Sequence, residues 1–158
     1  MAIAPLTIDL IPQVESLMGL GAPYITPRTH SDYWLYATHF SSTCPVAVVN
    51  GSVVGAAVAF RSQDRPTEIY IQDVVVHPEH RREGVARALL QSVHDRAKAW
   101  RCSRIYLTSE PGNTAAHSTW TSLGYSNVAG DYLVNGISIV RDFKGPGRDR
   151  AIYEIGPV

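Results

Sequence analysis

Val74-Val75-Val76-His77-Pro78-Glu79-His80-Arg81-Arg82-Glu83-Gly84-Val85-Ala86 is the stretch on which the fold turns. On its N-terminal side, Glu68 to Val76 is dense in β-branched residues and reads as a strand stopped by His77-Pro78. On its C-terminal side, Gly84 to Trp100 reads as a helix. Val85, Leu89, Val93, Ala97 and Trp100 share one face, while Gln91, Asp95, Arg96 and Lys98 fall largely elsewhere. The short basic loop between them is an anion trap. A helix's first turn leaves backbone N–H groups without partners, and its dipole favours a negative ligand. Gly84 and Ala86 carry little or no side chain, so a phosphate can approach the backbone, and Arg81 and Arg82 add charge-assisted hydrogen bonds. Taken alone, the loop reads as a phosphate or pyrophosphate site, or as a plain strand-to-helix turn with a solvated arginine pair. Neither familiar nucleotide fingerprint fits: there is no GxxxxGK[ST], and no GxGxxG with its following acidic residue.

Working outward, Asp9 to Leu20 has helical apolar spacing at Leu10, Val14, Leu17 and Met18, ended by Gly19, Gly21 and Pro23. A second short helix is predicted over Ser31 to Phe40. Pro45 to Val49, the Asn50-Gly51 turn and Ser52 to Phe60 read as a β-hairpin, since Asn-Gly is the strongest two-residue hairpin signal. Beyond the central helix come a strand at Arg104 to Ser109 and a helix at Asn113 to Leu123. Asn113 is its natural N-cap and Gly124 closes it. A second hairpin is predicted in Tyr132 to Val140 around Asn135-Gly136, then a loop at Lys144 to Asp149 and a last strand at Ala151 to Ile155. The order predicts one mixed-sheet α/β domain over residues 1–158.

Composition narrows the function. The chain has 158 residues, 45% hydrophobic and 18% charged, enough to bury a core and unlike a disordered chain. Lys plus Arg and Asp plus Glu are 14 each, so no overall field favours nucleic acid or an anionic membrane. The N-terminus shows no signal-peptide pattern, and no apolar run approaches the roughly 18 residues of a membrane span. A cytoplasmic protein is expected. Cys44 and Cys102 sit in no CxxC pattern and read as structural thiols. His77, Glu79 and His80 lack further ligands at metal-site spacing, so no metal is expected.

The quoted run resembles motif A of the GNAT superfamily, [RQ]-x-x-G-x-[GA], through Arg81, Gly84 and Ala86, after a strand ending in V-x-P at Val76, His77 and Pro78. About 27 residues on, Asn113-Thr114-Ala115-Ala116, then Trp120 and Gly124-Tyr125, resemble the family's N-x-x-A…[YF]-x-x-x-G-[FY] block. The resemblance covers roughly residues 45 to 130 and joins two independent motifs in the right order and spacing. It implies a single-domain GNAT fold: a mixed central sheet of six to seven strands flanked by helices, with two central strands splayed to form the coenzyme cleft. It also implies acetyl-coenzyme A as donor and direct transfer to an amine in a ternary complex. By resemblance, the backbone of Val74, Val75 and Val76 pairs with pantetheine. Arg81 and the amides of Arg82, Glu83, Gly84, Val85 and Ala86, with Arg87, hold the pyrophosphate, and Asn113 reaches the pantetheine arm. A backbone N–H near Val74 would polarise the thioester carbonyl.

The catalytic groups are less defined. Asp73 is a charge in an otherwise apolar strand, and Gln72-Asp73-Val74-Val75-Val76 looks like part of glucosamine-phosphate N-acetyltransferases, although Gln72 replaces their usual glutamate. Tyr70 occupies a position used elsewhere in the superfamily for a base or water relay, and Glu110 is a third candidate. Where many members place an acidic tyrosine, this chain has Trp120, whose indole donates a hydrogen bond but delivers no proton. Tyr125 and His117 are alternatives. Tyr24, Tyr33, Trp34, Tyr36, Asp131, Tyr132 and Asp142 either line the acceptor site or fill the core and cap turns. The favoured acceptor is a small-molecule amine such as an aminoglycoside, polyamine or amino acid. The rivals are a protein N-terminus or lysine, a catalytically silent acyl-coenzyme A sensor, and a nucleotide-binding protein. The oligomeric state is left open by the sequence, although many relatives form homodimers.

Overall fold

Glu68 to Val76 forms the strand that its β-branched residues call for, and the sheet grows from both of its edges. The computed structural model describes residues 1–156. In chain order its elements are β1 (Ala2–Pro5), α1 (Ile11–Met18), α2 (His30–His39), β2 (Pro45–Val49), β3 (Ser52–Arg61) and β4 (Glu68–Val76). They continue as α3 (Val85–Ala99), β5 (Arg104–Ser109), α4 (Thr114–Ser122), β6 (Ser126–Asn127), β7 (Tyr132–Val134), β8 (Ile137–Ile139) and β9 (Ala151–Ile155). Seven strands share one sheet in the order β1-β2-β3-β4-β5-β9-β6, while β7 and β8 pair apart from it. Among the described residues every strand pair is antiparallel except β4–β5. Parallel neighbours need a long crossover, and α3 supplies it.

Both Asn-Gly turns form as the sequence predicts. Asn50 and Gly51 have φ of 49° and 79°, and Asn135 and Gly136 have 50° and 77°. Two consecutive left-handed residues match the twist of the strands they join. The structure departs from the sequence reading at short elements. The edge strand β1 and the two-residue β6 were not anticipated, being too short to show a period of two. The first helix is trimmed at both ends, because Ile8–Leu10 and Gly19–Gly21 form 3-10 turns.

The sheet is covered on both faces. On one, Leu89, Leu90, Val93 and Ala97 of α3 are buried against Ile69, Ile71, Ala57 and their neighbours. A fully buried leucine such as Leu89 contributes roughly 1.5–3 kcal/mol over an exposed one. Gly55 sets how closely this helix lies. A Cβ there would stand 2.6 Å from Val85 Cγ1 and 3.1 Å from Leu89 Cδ1, so the helix rests on bare backbone. On the other face, Ile11, Val14, Leu17 and Met18 of α1 and Tyr33 of α2 pack on Val46, Val58 and Val75.

Strand β4 carries the irregularity that positions the site. Val58 pairs with Asp73 but Ala59 pairs with Ile71, so Gln72 is an extra residue, a β-bulge. Before the bulge, Ile69 and Ile71 face α3; after it, Val74 and Val76 face α3 and Val75 faces α1. The alternation of faces slips by one. Tyr70 and Asp73, three positions apart, therefore come to the same side of the sheet, which a regular strand forbids.

Candidate active site

The cleft opens where β4 parts from β5. Their pairing runs from Glu68↔Arg104 to Ile71↔Leu107 and stops, although β4 continues to Val76 and β5 to Ser109. Beyond Ile71, β4 keeps its partner β3 on one edge and, among the described residues, has no strand on the other. Val74, Val75 and Val76 line that open edge, where an extended ligand can add as a further strand.

The anion trap closes the wide end. Gly84 is the N-cap of α3 with φ of 78°, and Arg82 also has a positive φ of 65°. Among the described residues, a Cβ at Gly84 would meet nothing within 4 Å, so the space beside the helix start is open. With no side chain at the N-cap, the first amides of a helix 15 residues long lack the usual cap and face that space. Arg81, Arg82, Glu83 and Arg87 are exposed around it, Ala86 is half-buried, and Val85 is buried, anchoring the turn. His80 and His77 are occupied locally. His80 Nδ1 lies 2.9 Å from Glu83 Oε2, and His77 Nδ1 accepts from Glu79 N at 3.1 Å. Among the described residues, no group of three His, Cys, Asp or Glu side chains is placed to hold a metal ion.

Across the cleft, Asn113 caps α4, its Oδ1 accepting from Ala116 N at 3.0 Å, and among the described residues its side-chain Nδ2 donates to no protein group. Trp120 lies half-buried and directs its indole N–H to Ser109 Oγ at 3.2 Å, so that donor is already engaged. Tyr125 is buried and burial pushes its phenol far above the usual range, while His117 Nδ1 sits 2.7 Å from Tyr153 Oη. None of these is a free acid facing the cleft. Both cysteines are buried; Cys44 Sγ donates to Ala59 O at 3.6 Å and its thiol is pushed up to about 12, which leaves no thiolate.

On the α1–α2 side, Asp73 is 8% exposed. Burial pushes its carboxyl above the usual carboxylate range, and Arg28 and Lys144 pull it partly back. Arg28 Nη2 stands 3.7 Å from Asp73 Oδ2. Arg28 is held just ahead of α2 by a capping box. Asp32 N donates to Thr29 Oγ1, Thr29 N donates to Asp32 Oδ2, and Arg28 N donates to the Tyr33 hydroxyl at 3.0 Å. Lys144 arrives from the opposite end of the chain. Its Nζ donates to the Tyr70 hydroxyl at 2.6 Å and lies 5.1 Å from the centre of the Tyr70 ring. Its loop is shaped by Asp142, which accepts from Gly147 N at 2.7 Å, and by Asp149, which accepts from Asp142 N at 2.9 Å and from the Tyr132 hydroxyl.

The sequence reading brought Tyr70, Asp73, Val74, Val75 and Val76 to one strand, and the bulge gathers the first two into one site. Other expectations fall differently. Asp131 accepts from Arg141 N at 2.7 Å and, like Asp142, shapes a turn. Tyr33 is fully buried, Tyr36 packs on Phe60, and Tyr24 and Trp34 are exposed. Glu110 is exposed beyond β5. Arg28 and Lys144 were not foreseen: one follows a Pro-containing stretch without a motif, and the other sits in a loop read only as polar.

A model of the acetyltransferase (GNAT) family matches residues 14–125. The chain belongs to the GNAT acetyltransferase family. It is an N-acetyltransferase with acetyl-coenzyme A as donor. A relative named L-2,4-diaminobutyric acid acetyltransferase, from Methylotuvimicrobium alcaliphilum, is 26% identical over 117 residues, 74% of this chain and 67% of that protein. One of the same name from Vibrio cholerae is 34% identical over 78 residues, 49% of this chain and 44% of that protein. The diaminobutyrate acetyltransferase of Paenibacillus lautus, solved with L-2,4-diaminobutyric acid and coenzyme A, has the same fold, with a TM-score of 0.76 at 22% identity over 99% of this chain and 94% of that one. The seven-stranded mixed sheet is thus the GNAT fold that the two motifs implied. Among the described residues, no helix is long and apolar enough to cross a membrane.

Proposed function

We propose that this GNAT enzyme transfers acetyl from acetyl-coenzyme A directly to a primary amine of a small molecule, with Asp73 as general base. The observation that carries the reading is a buried carboxylate lying where β4 parts from β5, beside the open edge that suits pantetheine. The donor rests on Val74, Val75 and Val76, with its pyrophosphate at Arg81, Arg82, Glu83, Gly84, Val85, Ala86 and Arg87, and Asn113 offers its free amide to the pantetheine arm. Asp73 draws the ammonium in and accepts its proton, directly or through a water held by the Tyr70 hydroxyl. The amine nitrogen attacks the thioester carbon, and a backbone N–H near Val74 stabilises the oxyanion. The C–S bond then breaks and coenzyme A leaves as a thiolate, while the attacking nitrogen gives up its second proton, relayed through water, to that thiolate. A thiol titrating near 8.5, taking cysteine as reference, leaves tolerably without an acid at Trp120. The names of the two relatives favour a small-molecule acceptor over a protein one.

The test is release of free coenzyme A thiol across a panel of polyamines, aminoglycosides and amino acids, with the acetylated product identified by mass. Tight acetyl-coenzyme A binding without turnover on any amine would instead identify a silent acyl-coenzyme A sensor.

A further inference from the structure

The Arg28–Asp73 ion pair satisfies neither partner. At 3.7 Å it is longer than a hydrogen bond, and both Asp73 Oδ2 and Arg28 Nε are buried with no hydrogen-bond partner among the described residues. A buried charged pair is worth keeping only when its remaining donors and acceptors are satisfied, so this one is arranged for something that completes it. Lys144 adds a second cation on the same side, fixed by its bond to Tyr70 and by the hydrogen-bonded Asp142–Asp149 loop. Three charged groups from residues 28, 73 and 144 thus converge with one negative and two positive charges. A bare cationic amine brought to Asp73 would meet two cations beside it. A molecule that brings its own carboxylate would not.

We infer that the acceptor is an amino acid, its ammonium group on Asp73 Oδ2 and its carboxylate on Arg28 and Lys144. On binding, Arg28 exchanges a loose contact with Asp73 for charge-assisted hydrogen bonds to the substrate, and Asp73 gains the N–H donor that it lacks. The Arg28–Asp73 ion pair is an internal mimic of the zwitterion that displaces it. Arg28 and Lys144 act as specificity-determining residues, apart from the proton transfer at Asp73. The inference rests on the amine acetylation proposed above and narrows it.

The experiment pairs each amino acid with the amine its decarboxylation gives: diaminobutyrate with diaminopropane, ornithine with putrescine, lysine with cadaverine, alanine with ethylamine, and tyrosine with tyramine. Glucosamine phosphate is included as an amine bearing a different anion. We expect kcat/KM for the best amino acid to exceed that of its decarboxylated partner by at least thirtyfold. That ratio should fall below about fivefold in Arg28→Met and in Lys144→Gln, and Arg28→Lys should restore part of it. The KM for acetyl-coenzyme A should stay constant, which a general disturbance of the fold would not allow. Lys144 is on an exposed loop, so its variant tests the idea even if Arg28→Met does not fold. Equal or faster acetylation of the decarboxylated amines, or preference for glucosamine phosphate over every amino acid, overturns the inference and leaves amine acetylation standing. Failure of every acceptor overturns both.

Discussion

The donor and acceptor sides of the cleft lie on the same strand but are specified by different means. In the function proposed above, the donor side is one run, Val74 to Arg87, joined by Asn113, and the backbone of that run does most of the recognising: an open strand edge, then the amides of a helix start. The proposed acceptor side is three side chains, Arg28, Asp73 and Lys144, from distant parts of the chain. Backbone recognition needs consecutive residues in a fixed conformation, and so it leaves a motif. Side-chain recognition needs only convergence in space, and convergence leaves none. The difference also predicts how each side fails. The donor side should break at a single residue through local geometry, whereas the acceptor side should lose rate or selectivity while the coenzyme still binds.

The largest effect is expected on the donor side. Gly84→Glu places a carboxylate in the open space before α3, at a position with φ of 78°. No atom lies within 4 Å of the new Cβ, so the fold should survive with a loss on the order of 1 kcal/mol from backbone strain. Affinity for acetyl-coenzyme A should fall by more than about a hundredfold, or about 2.7 kcal/mol. Gly84→Ala carries the same strain without the charge and should bind far better. Calorimetric titration checks both, and unchanged affinity in Gly84→Glu would remove the pyrophosphate from this helix.

On the acceptor side, Asp73→Asn should leave donor affinity intact and lower kcat/KM for the amine by about ten- to a thousandfold, reaching below the usual general-base range to include a relay. A primary amine titrates near 10, taking lysine as reference, so the deficit should shrink as pH rises and free amine becomes abundant. A variant that matches wild type from neutral to alkaline pH would confine Asp73 to a structural role and move the base to Tyr70.

How much of this could be read beforehand follows the same division. The limits of β4 and β5 were legible because β-branched runs ended by His77-Pro78 or a polar loop have few alternatives. The two Asn-Gly turns and the capped helix α4 were legible for similar local reasons. The bulge at Gln72 was not, because its cause lies in the pairing with β3 and no residue of β4 signals it. Without the bulge, Tyr70 and Asp73 would be assigned to opposite faces. Lys144 was hidden because its position depends on how Asp142 and Asp149 fold the loop around it. Even β1 escaped, since its place at the sheet edge comes from pairing with β2 rather than from Ala2–Pro5.

Trp120 tests whether the donor side extends to the leaving group. Its indole N–H is engaged by Ser109 Oγ at 3.2 Å and delivers no proton. Trp120→Tyr should therefore keep coenzyme binding and give turnover equal to wild type or up to a few times higher. A loss of more than about a hundredfold in kcat, on the order of 2.7 kcal/mol, in a folded variant would show that the indole positions the thioester.

The smallest expected effect is on stability, and it separates a functional carboxylate from a structural one. Burial raises the Asp73 carboxyl above its ordinary value of 3.8, against the opposing pull of Arg28 and Lys144. The folded protein thus holds that proton more tightly than the unfolded chain does. Linkage then fixes the sign: relative to a variant without the group, wild type gains stability as pH falls through the raised value toward 3.8, and loses it as pH rises through the same window. At neutral pH the ionised carboxylate is a net cost to the fold, with one oxygen buried and unpaired. Asp73→Asn removes that charge and frees Arg28, whose side chain is 35% exposed and can turn to water. Its Tm at neutral pH should match wild type or exceed it by up to about 4 °C, the shift that 1 kcal/mol gives in a domain of this size. The gap should narrow on acidification toward the ordinary value of 3.8, as wild-type Asp73 takes up its proton. Scanning calorimetry of the two proteins across that range checks the sign. A variant clearly less stable than wild type at neutral pH would mean that the pair with Arg28 holds the fold together, and that Asp73 was retained for that purpose rather than for catalysis.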